Sequence, residues 1–406
     1  MLYQFYRVEM MKITLAALAV AILTLIPTWN VFAQVPEKIY GKNKILKPNE
    51  YYLQQITLWK AVLDSNRRNA DAWLNYYRAH RNAYVKGEED NSQKSKGNTR
   101  FNRLKSIVDD METYVPDTYE LHFVRWLNGN NNPALFPALD KAHRLKPQNP
   151  EPLLALILYY EIQGNYAARN TSIEQYYALG DYSPGLLNYS YNLLAGLDSN
   201  AIIFTEGDKD TEAILLLQEG KKFRQDVRML NVNLLLMSDY RERVFRELGI
   251  KQLPYNPLTS EETYEKFRRS IVEHVVRNSK QRPVHTSVTV SSPYTTPIEN
   301  KLYLTGLSHK YSDKPFDAMV LLKFNIEHLY ALDYLRVYFP IDISIDNMHS
   351  MNGNYLPALA ALSADYRKSG NTIQADYYQN LAQTIATAAN LREEFEAYFG
   401  KQNKSK

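Results

Sequence analysis

The chain has 406 residues, of which 45% are hydrophobic and 23% charged. That length suits two or three domains, and the composition supports a sizeable core. The net charge of +4, from 48 basic and 44 acidic residues, leaves no electrostatic footprint for nucleic acid. Cysteine is absent, which excludes disulfides, a thiol nucleophile and a cysteine-borne lipid. Tyrosine is abundant, 32 residues against 14 Phe. A tyrosine buries its ring and keeps a wet hydroxyl, so half-buried helix interfaces are expected.

In chain order, the first element reads as a signal peptide over residues 1–33. Lys12 precedes an apolar run of 14 residues, Ile13 to Ile26, and Pro27 ends it. The run is shorter than the roughly 20 residues a membrane span needs. Val31 and Ala33 stand at the −3 and −1 places of a cleavage site, so cutting after Ala33 is expected. The reading is an exported, periplasmic protein with no membrane span in the mature chain.

Residues 34–198 read as tetratricopeptide-like helical repeats. Three segments, 51–66, 70–85 and 150–166, carry apolar residues at helical spacing. In 149–182, Leu153, Leu156, Tyr160, Gly164, Tyr166, Ile173 and Tyr176 fall where such a repeat wants bulk or a turn. Its small residue in the second helix is displaced, with Ala168 beside Arg169. Equivalent helix starts at Trp73, Tyr119, Leu153 and Leu186 are spaced 46, 34 and 33 residues apart. The polar stretch "KGEEDNSQKSKGNT" absorbs the excess in the first gap. A single hairpin cannot bury its apolar face, so hairpins stack and leave a concave surface suited to a protein or peptide.

Residues 199–315 read as a small α/β, Rossmann-like module inserted in the helices. "AIIFT" and "VRMLNVNLL" flank one helix, a strand–helix–strand unit with parallel strands. "DYRERVFRELGI" and "SEETYEKFRRSIVEHVVRNSK" read as helices. Ser260 caps the second, with a partial box because Thr263 stands where Glu or Gln is usual. "VHTSVTV" and "NKLYLTGLSHKY" add two strand candidates. Residues 316–400 return to helix and hold a repeat-like hairpin with Leu359, Leu362, Tyr366, Gly370, Ala375 and Ala382 in register. The fold class is therefore α plus α/β.

The candidate site is "TEGDKDT", where a parallel strand hands over to a helix. Ligands in open parallel sheets bind at such ends. Glu206, Asp208 and Asp210 alternate, as calcium-loop ligands do, but Thr211 and Leu217 replace the required Gly and Glu. A phosphatase-type aspartate nucleophile fails as well: position 212 is Glu rather than Thr, and the only Asp-Asp pair, Asp109–Asp110, lies upstream. Two readings remain. The carboxylates accept from the hydroxyls of a sugar or other polar ligand. Alternatively, Asp208 or Asp210 caps the helix, Gly207 permits the turn, and Arg228 takes one carboxylate as a bidentate pair beside Asn231. The candidate ligand-binding set is Glu206, Asp208, Asp210, Thr211, Arg228 and Asn231. No catalytic residue, metal ligand or cofactor is expected. The eight His are scattered, and "RFNRLK" reads as a solvated helix face.

These residues resemble the soluble C-terminal part of a bacterial family of large membrane proteins of unknown function, related to protein O-mannosyltransferases. The shared features are Gly207, Asp208, Asp210 and Thr211 after a strand, then Asp226, Val227, Arg228 and Asn231 on the next. Arg282 and Pro283 open a later strand that ends in Val288, Thr289 and Val290, and Gly306–Leu307 sit in the one after. The resemblance covers roughly residues 200 to 390 and lacks the family's membrane-embedded transferase portion. Lys209 replaces an uncharged residue of the family's loop. It implies a shared exported module rather than a transferase. The expected role is a non-catalytic adaptor or scaffold of the cell envelope that binds a protein or peptide through its helical repeats. The alternative is glycan handling through residues 206–211.

Overall fold

The computed structural model describes residues 35–84, 99–130, 132–279, 282–336 and 342–400. The expected signal peptide and most of the polar 86–99 stretch lie outside the described residues.

Eight helices come first: α1 (Asn49–Ser65), α2 (Ala70–Asn82), α3 (Thr99–Tyr114), α4 (Tyr119–Asn128), α5 (Phe136–Leu145), α6 (Pro150–Gln163), α7 (Tyr166–Leu179) and α8 (Pro184–Ala195). Their starts are written locally. The side chains of Asn69, Thr118, Asn149, Asn165 and Ser183 each accept a backbone N–H of the turn they cap. Gly164 ends α6 in the left-handed region, at φ 71°. Only two residues then separate α6 from α7, so the pair closes as a helical hairpin.

Five strands follow among further helices: β1 (Ile202–Thr205), α9 (Asp208–Leu215), β2 (Arg228–Asn231), α10 (Ser238–Leu248), α11 (Glu261–Arg268), α12 (Ile271–Asn278), β3 (Val284–Ser287), the single turn α13 (Ser292–Thr295), β4 (Leu302–Leu304) and β5 (Ser308–Tyr311). The sheet order is β2-β1-β3-β5-β4. β1 runs parallel to β2 and β3, while β5 is antiparallel to β3 and β4. The chain leaves β1 toward β2 and later returns to its other side at β3. The gap between the carboxyl ends of β1 and β3 is thus a topological switch point. The last helices are α14 (Ala318–Phe324), α15 (Ile345–Asn352), α16 (Leu356–Lys368), α17 (Thr372–Ala389) and α18 (Arg392–Phe399).

Period-two alternation divides the sheet between two cores. Ile202, Phe204 and Leu230 pack with Tyr240, Phe245 and Val275 of α10 and α12. Ile203 and Met229 face the other way, into a core shared with Tyr189, Ile214, Leu359 and Tyr378. That second core runs from Leu153 to Phe399, so the C-terminal helices pack onto the sheet and onto α6–α8. A third core holds α1–α5, with Tyr52, Tyr77, Trp126 and Leu139. Helix α6 is the shared wall: Leu156 belongs to the α1–α5 core, Leu153 and Ile157 to the second.

An N-terminal strap, residues 35–48, crosses these parts. Ile39 donates its N–H to Asn75 and accepts from Arg78. Lys44 pairs with Asp181 at 2.5 Å, and Asn347 of α15 donates to the carbonyls of Lys42 and Asn43.

Several local expectations change. Val288, Thr289 and Val290 lie beyond the end of β3 rather than in it. "NKLYLTGLSHKY" is not one strand but a hairpin, and Gly306–Leu307 form its turn, with Gly306 at φ 133°. The 260–280 helix breaks at Arg269–Ser270. The Ser260 box is complete: Thr263 Oγ1 accepts the Ser260 N–H as Glu would.

Candidate functional site: the carboxylate turn and the adjoining cleft

Strand β1 ends at Thr205, and α9 opens at Asp208. Gly207 has φ −89°, extended backbone that any residue adopts, so the turn does not need a glycine's freedom. A Cβ there would stand 3.3 Å from Asp210 Oδ1, a tight contact that a shift of the carboxylate by a few tenths of an ångström relieves. Neither Asp208 nor Asp210 caps the helix. Thr211 is the pin instead. Its hydroxyl donates to the Gly207 carbonyl at 2.7 Å, lies 2.9 Å from Thr205 Oγ1 and accepts from Asn231 Nδ2 at 2.8 Å. Asn231 Oδ1 in turn accepts the N–H groups of Asn233 and Leu234. Thr211 and Asn231 therefore tie β1, α9 and β2 together.

The three carboxylates do not converge. Glu206 turns to the end of β3 and accepts Ser291 N–H at 2.6 Å and its hydroxyl at 3.1 Å. Asp210 is fully buried at the switch point, and its Oδ2 accepts from Thr289 Oγ1. Its Oδ1 has no hydrogen-bond partner among the described residues. Burial raises the Asp210 pKa to about 6, against the opposing pull of Thr289. Asp208 is exposed and makes no ion pair among the described residues. No group of three or more His, Asp or Glu among the described residues is placed to hold a metal ion.

Arg228 is a correction. It opens β2, opposite Ile202 rather than Thr205, because parallel pairing puts first residues side by side. Its guanidinium pairs with Glu247 at 2.9 Å and meets Tyr166 Oη at 3.2 Å, at the strand end away from the carboxylates.

Glu212 is the residue that motif reasoning passed over. It stands one helical turn after Asp208, on the same face of α9. Burial pushes its pKa up to about 8, with the Asp208 charge adding to the shift and the hydroxyl of Tyr182, 3.5 Å away, opposing it. Asp208, Glu212 and Tyr182 line a cleft of about 500 Å³. Helices α2, α4 and α6 supply other parts of its wall: Arg78 and Arg81, Phe123 and Trp126, Leu154 and Leu158. The strap contributes Lys42 and Lys44. Some of these charges satisfy one another, Lys44 with Asp181 and Arg78 with Glu151 at 2.7 Å. Arg81 instead donates to the Leu127 carbonyl, to Tyr77 Oη and to Asn130. The cleft lining thus combines cations from the strap, α2 and Arg100 of α3, apolar side chains of α4 and α6, and the carboxylates of α9.

A second constellation has triad-like distances and no use as one. Ser308 Oγ lies 3.2 Å from His285 Nδ1, and His285 Nε2 lies 2.8 Å from Asp198. Ser308 is 2% and His285 1% exposed, inside the sheet between paired strands. A substrate would have to open the sheet to reach the hydroxyl. Lys310 also pairs with Asp198 at 2.8 Å, which makes the group a buried polar clasp.

A family model described as TMEM260-associated domain 2 matches residues 186–272 of the 406. That stretch runs from α8 to the start of α12 and includes the whole carboxylate turn, Glu212 and Asn231. Over this stretch the chain is similar to a TMEM260-like family. A search of curated proteins finds no match. No helix among the described residues is long and apolar enough to cross a membrane.

Proposed function

We propose that this chain is an exported, non-catalytic adaptor of the bacterial cell envelope that holds a protein or peptide segment in the cleft beside α9. The single observation that carries the reading is the cleft itself. Its lining joins apolar side chains of helices α4 and α6 to charged groups from the strap, α2 and α9, the mixed lining expected of a binding groove. In this reading residues 34–198 are tetratricopeptide-like repeats, 199–315 are the α/β module inserted beside them, and 316–400 are helices that support both. The signal peptide of residues 1–33 delivers the chain to the periplasm, with cleavage after Ala33. The likeness of residues 186–272 to a TMEM260-associated domain supports kinship with the O-mannosyltransferase-related family. It supports a glycan-handling role as the second reading, with Asp208 and Glu212 as hydroxyl acceptors.

The test is site-specific photocrosslinking in intact cells. A benzophenone amino acid at Leu158, in the cleft, captures one discrete partner. The same probe at Leu179, an exposed position outside the cleft lining, does not. Identical crosslink patterns at both positions would reject the cleft as the binding surface.

A further inference from the structure

We infer that the cleft takes a dipolar peptide, with a carboxylate of the ligand on the Arg81–Trp126 wall and a basic side chain between Asp208 and Glu212. This inference rests on the reading above and specifies the chemistry of the partner.

Three observations carry it. First, the neutralised pairs can be subtracted. Once Lys44–Asp181 and Arg78–Glu151 are set aside, the lining keeps Lys42, Arg81 and Arg100 against Asp208 and Glu212. Arg81 donates only to neutral oxygens among the described residues, and the cation that feels the Asp208 charge, Lys209, lies outside the lining. Opposite charges are thus left over on different elements of one cavity, α2 against α9. Second, Trp126 lines the cleft next to Leu127, whose carbonyl holds Arg81, so the guanidinium sits beside an aromatic wall. A carboxylate placed there meets a charge-assisted donor. Third, the same lining holds apolar side chains, Phe123, Leu154 and Leu158. A volume of about 500 Å³ lies within the range of small-ligand and short-peptide sites. A neutral glycan satisfies the hydroxyl acceptors and leaves Arg81 without a counter-charge. A dipolar peptide meets both signs of charge.

Recognition is coupled to a proton. With its pKa raised to about 8, Glu212 is mostly protonated in the empty cleft at neutral pH. An ammonium placed beside it favours the carboxylate and expels that proton. Binding therefore releases protons near pH 7 and tightens as pH rises from about 6.5 to 8.5.

The experiment is isothermal titration of the full chain with acetyl-Glu-Leu-Leu-Lys-amide, in two buffers of different ionisation enthalpy. The expected result is saturable binding with a buffer-dependent heat. Replacing either charged residue of the peptide by Gln weakens it at least about tenfold. Glu212→Gln weakens the dipolar peptide similarly and abolishes the buffer dependence, while the melting temperature at pH 5 stays unchanged. Equal binding of the uncharged acetyl-Gln-Leu-Leu-Gln-amide would overturn the inference. So would no saturable heat from the dipolar peptide up to about 2 mM. Mannobiose binding that is lost in Glu212→Gln would overturn it in favour of the glycan. Crosslinking at Leu158 without charge discrimination among the peptides sinks this inference and leaves the adaptor reading standing.

Discussion

Arg169 of α7 and Glu161 of α6 form an ion pair with both side chains more than nine-tenths buried. Glu161 also accepts from Tyr240 Oη of α10 at 3.3 Å, and Arg169 reaches Glu219 at 3.1 Å. The pair joins the helical hairpin to the α/β module. Glu161→Ala removes one of the two carboxylates that hold the buried guanidinium and leaves it Glu219, at a cost of about 1–3 kcal/mol. Chemical denaturation should show a loss of that size, and a change under about 1 kcal/mol would mean the pair is solvated.

Leu156 is 3% exposed in the wall that α6 shares between two cores. Leu156→Ala should destabilise by about 2–5 kcal/mol. A loss within about 0.5 kcal/mol, as at a surface site, would contradict the packing.

Asp208 and Asp210 are two residues apart and should behave oppositely. Asp208→Asn removes an exposed charge near a helix N-terminus and should cost at most about 1 kcal/mol. Asp210→Ala removes the acceptor of the Thr289 hydroxyl in a sealed site, at a cost of about 1–3 kcal/mol. Asp210→Asn keeps an acceptor and removes a charge that burial disfavours, so it should be milder than the alanine. Equal melting temperatures for the two Asp210 variants would show that the Thr289 bond contributes nothing.

The pH dependence follows from the raised carboxylates. A carboxyl group with a higher pKa folded than unfolded contributes stability that is complete below its unfolded value. It is lost as pH rises through the folded value. For Glu212 that window runs from 4.5 to about 8, and for Asp210 from 3.8 to about 6. Wild type should therefore melt at a lower temperature at pH 8.5 than at pH 5. Glu212→Gln should recover most of the difference above pH 7 and little below pH 5. A wild-type melting temperature flat from pH 5 to 8.5 would show that Glu212 is hydrated and ionises normally.

Gly306 has φ 133°, and a Cβ there would stand 2.2 Å from the Tyr330 hydroxyl, which accepts the Leu307 N–H at 3.0 Å. Gly306→Ala meets both a strained backbone and a clash, and should lower the melting temperature clearly. Gly370→Ala, at φ 81° in open space, should cost less. The reverse ranking would show that the hairpin turn tolerates a side chain.

What could be read from the sequence was local. Helix starts were legible because Asn, Ser and Thr caps sit next to the turns they satisfy, and the parallel β1–β2 unit followed from strand, helix, strand. The partners of the carboxylates were not legible. Ser291 and Thr289 reach Glu206 and Asp210 across about 80 residues, through the pairing of β1 with β3. Arg228 could have been excluded, since the first residue of a parallel strand lies at the amino end. Glu212 is visible at the i+4 place from Asp208, but in the sequence it reads only as a mismatch to a phosphatase pattern. The cations of the lining carried no signal at all. Arg81 gains its position from the stacking of hairpins, and stacking is a property of pairs of helices rather than of any one segment.

The strap ties residues more than 300 positions apart: Asn347 holds Lys42 and Asn43. A nascent chain emerges in order, so its first structured segment must wait for one of its last helices before this edge of the cleft can close. The hairpins α1–α7 have local partners and can form early, whereas the finished groove has the slow kinetics of a long-range contact. During that interval the groove's apolar lining is open to any chain nearby, so capture of a wrong segment is a hazard that the order of synthesis builds in.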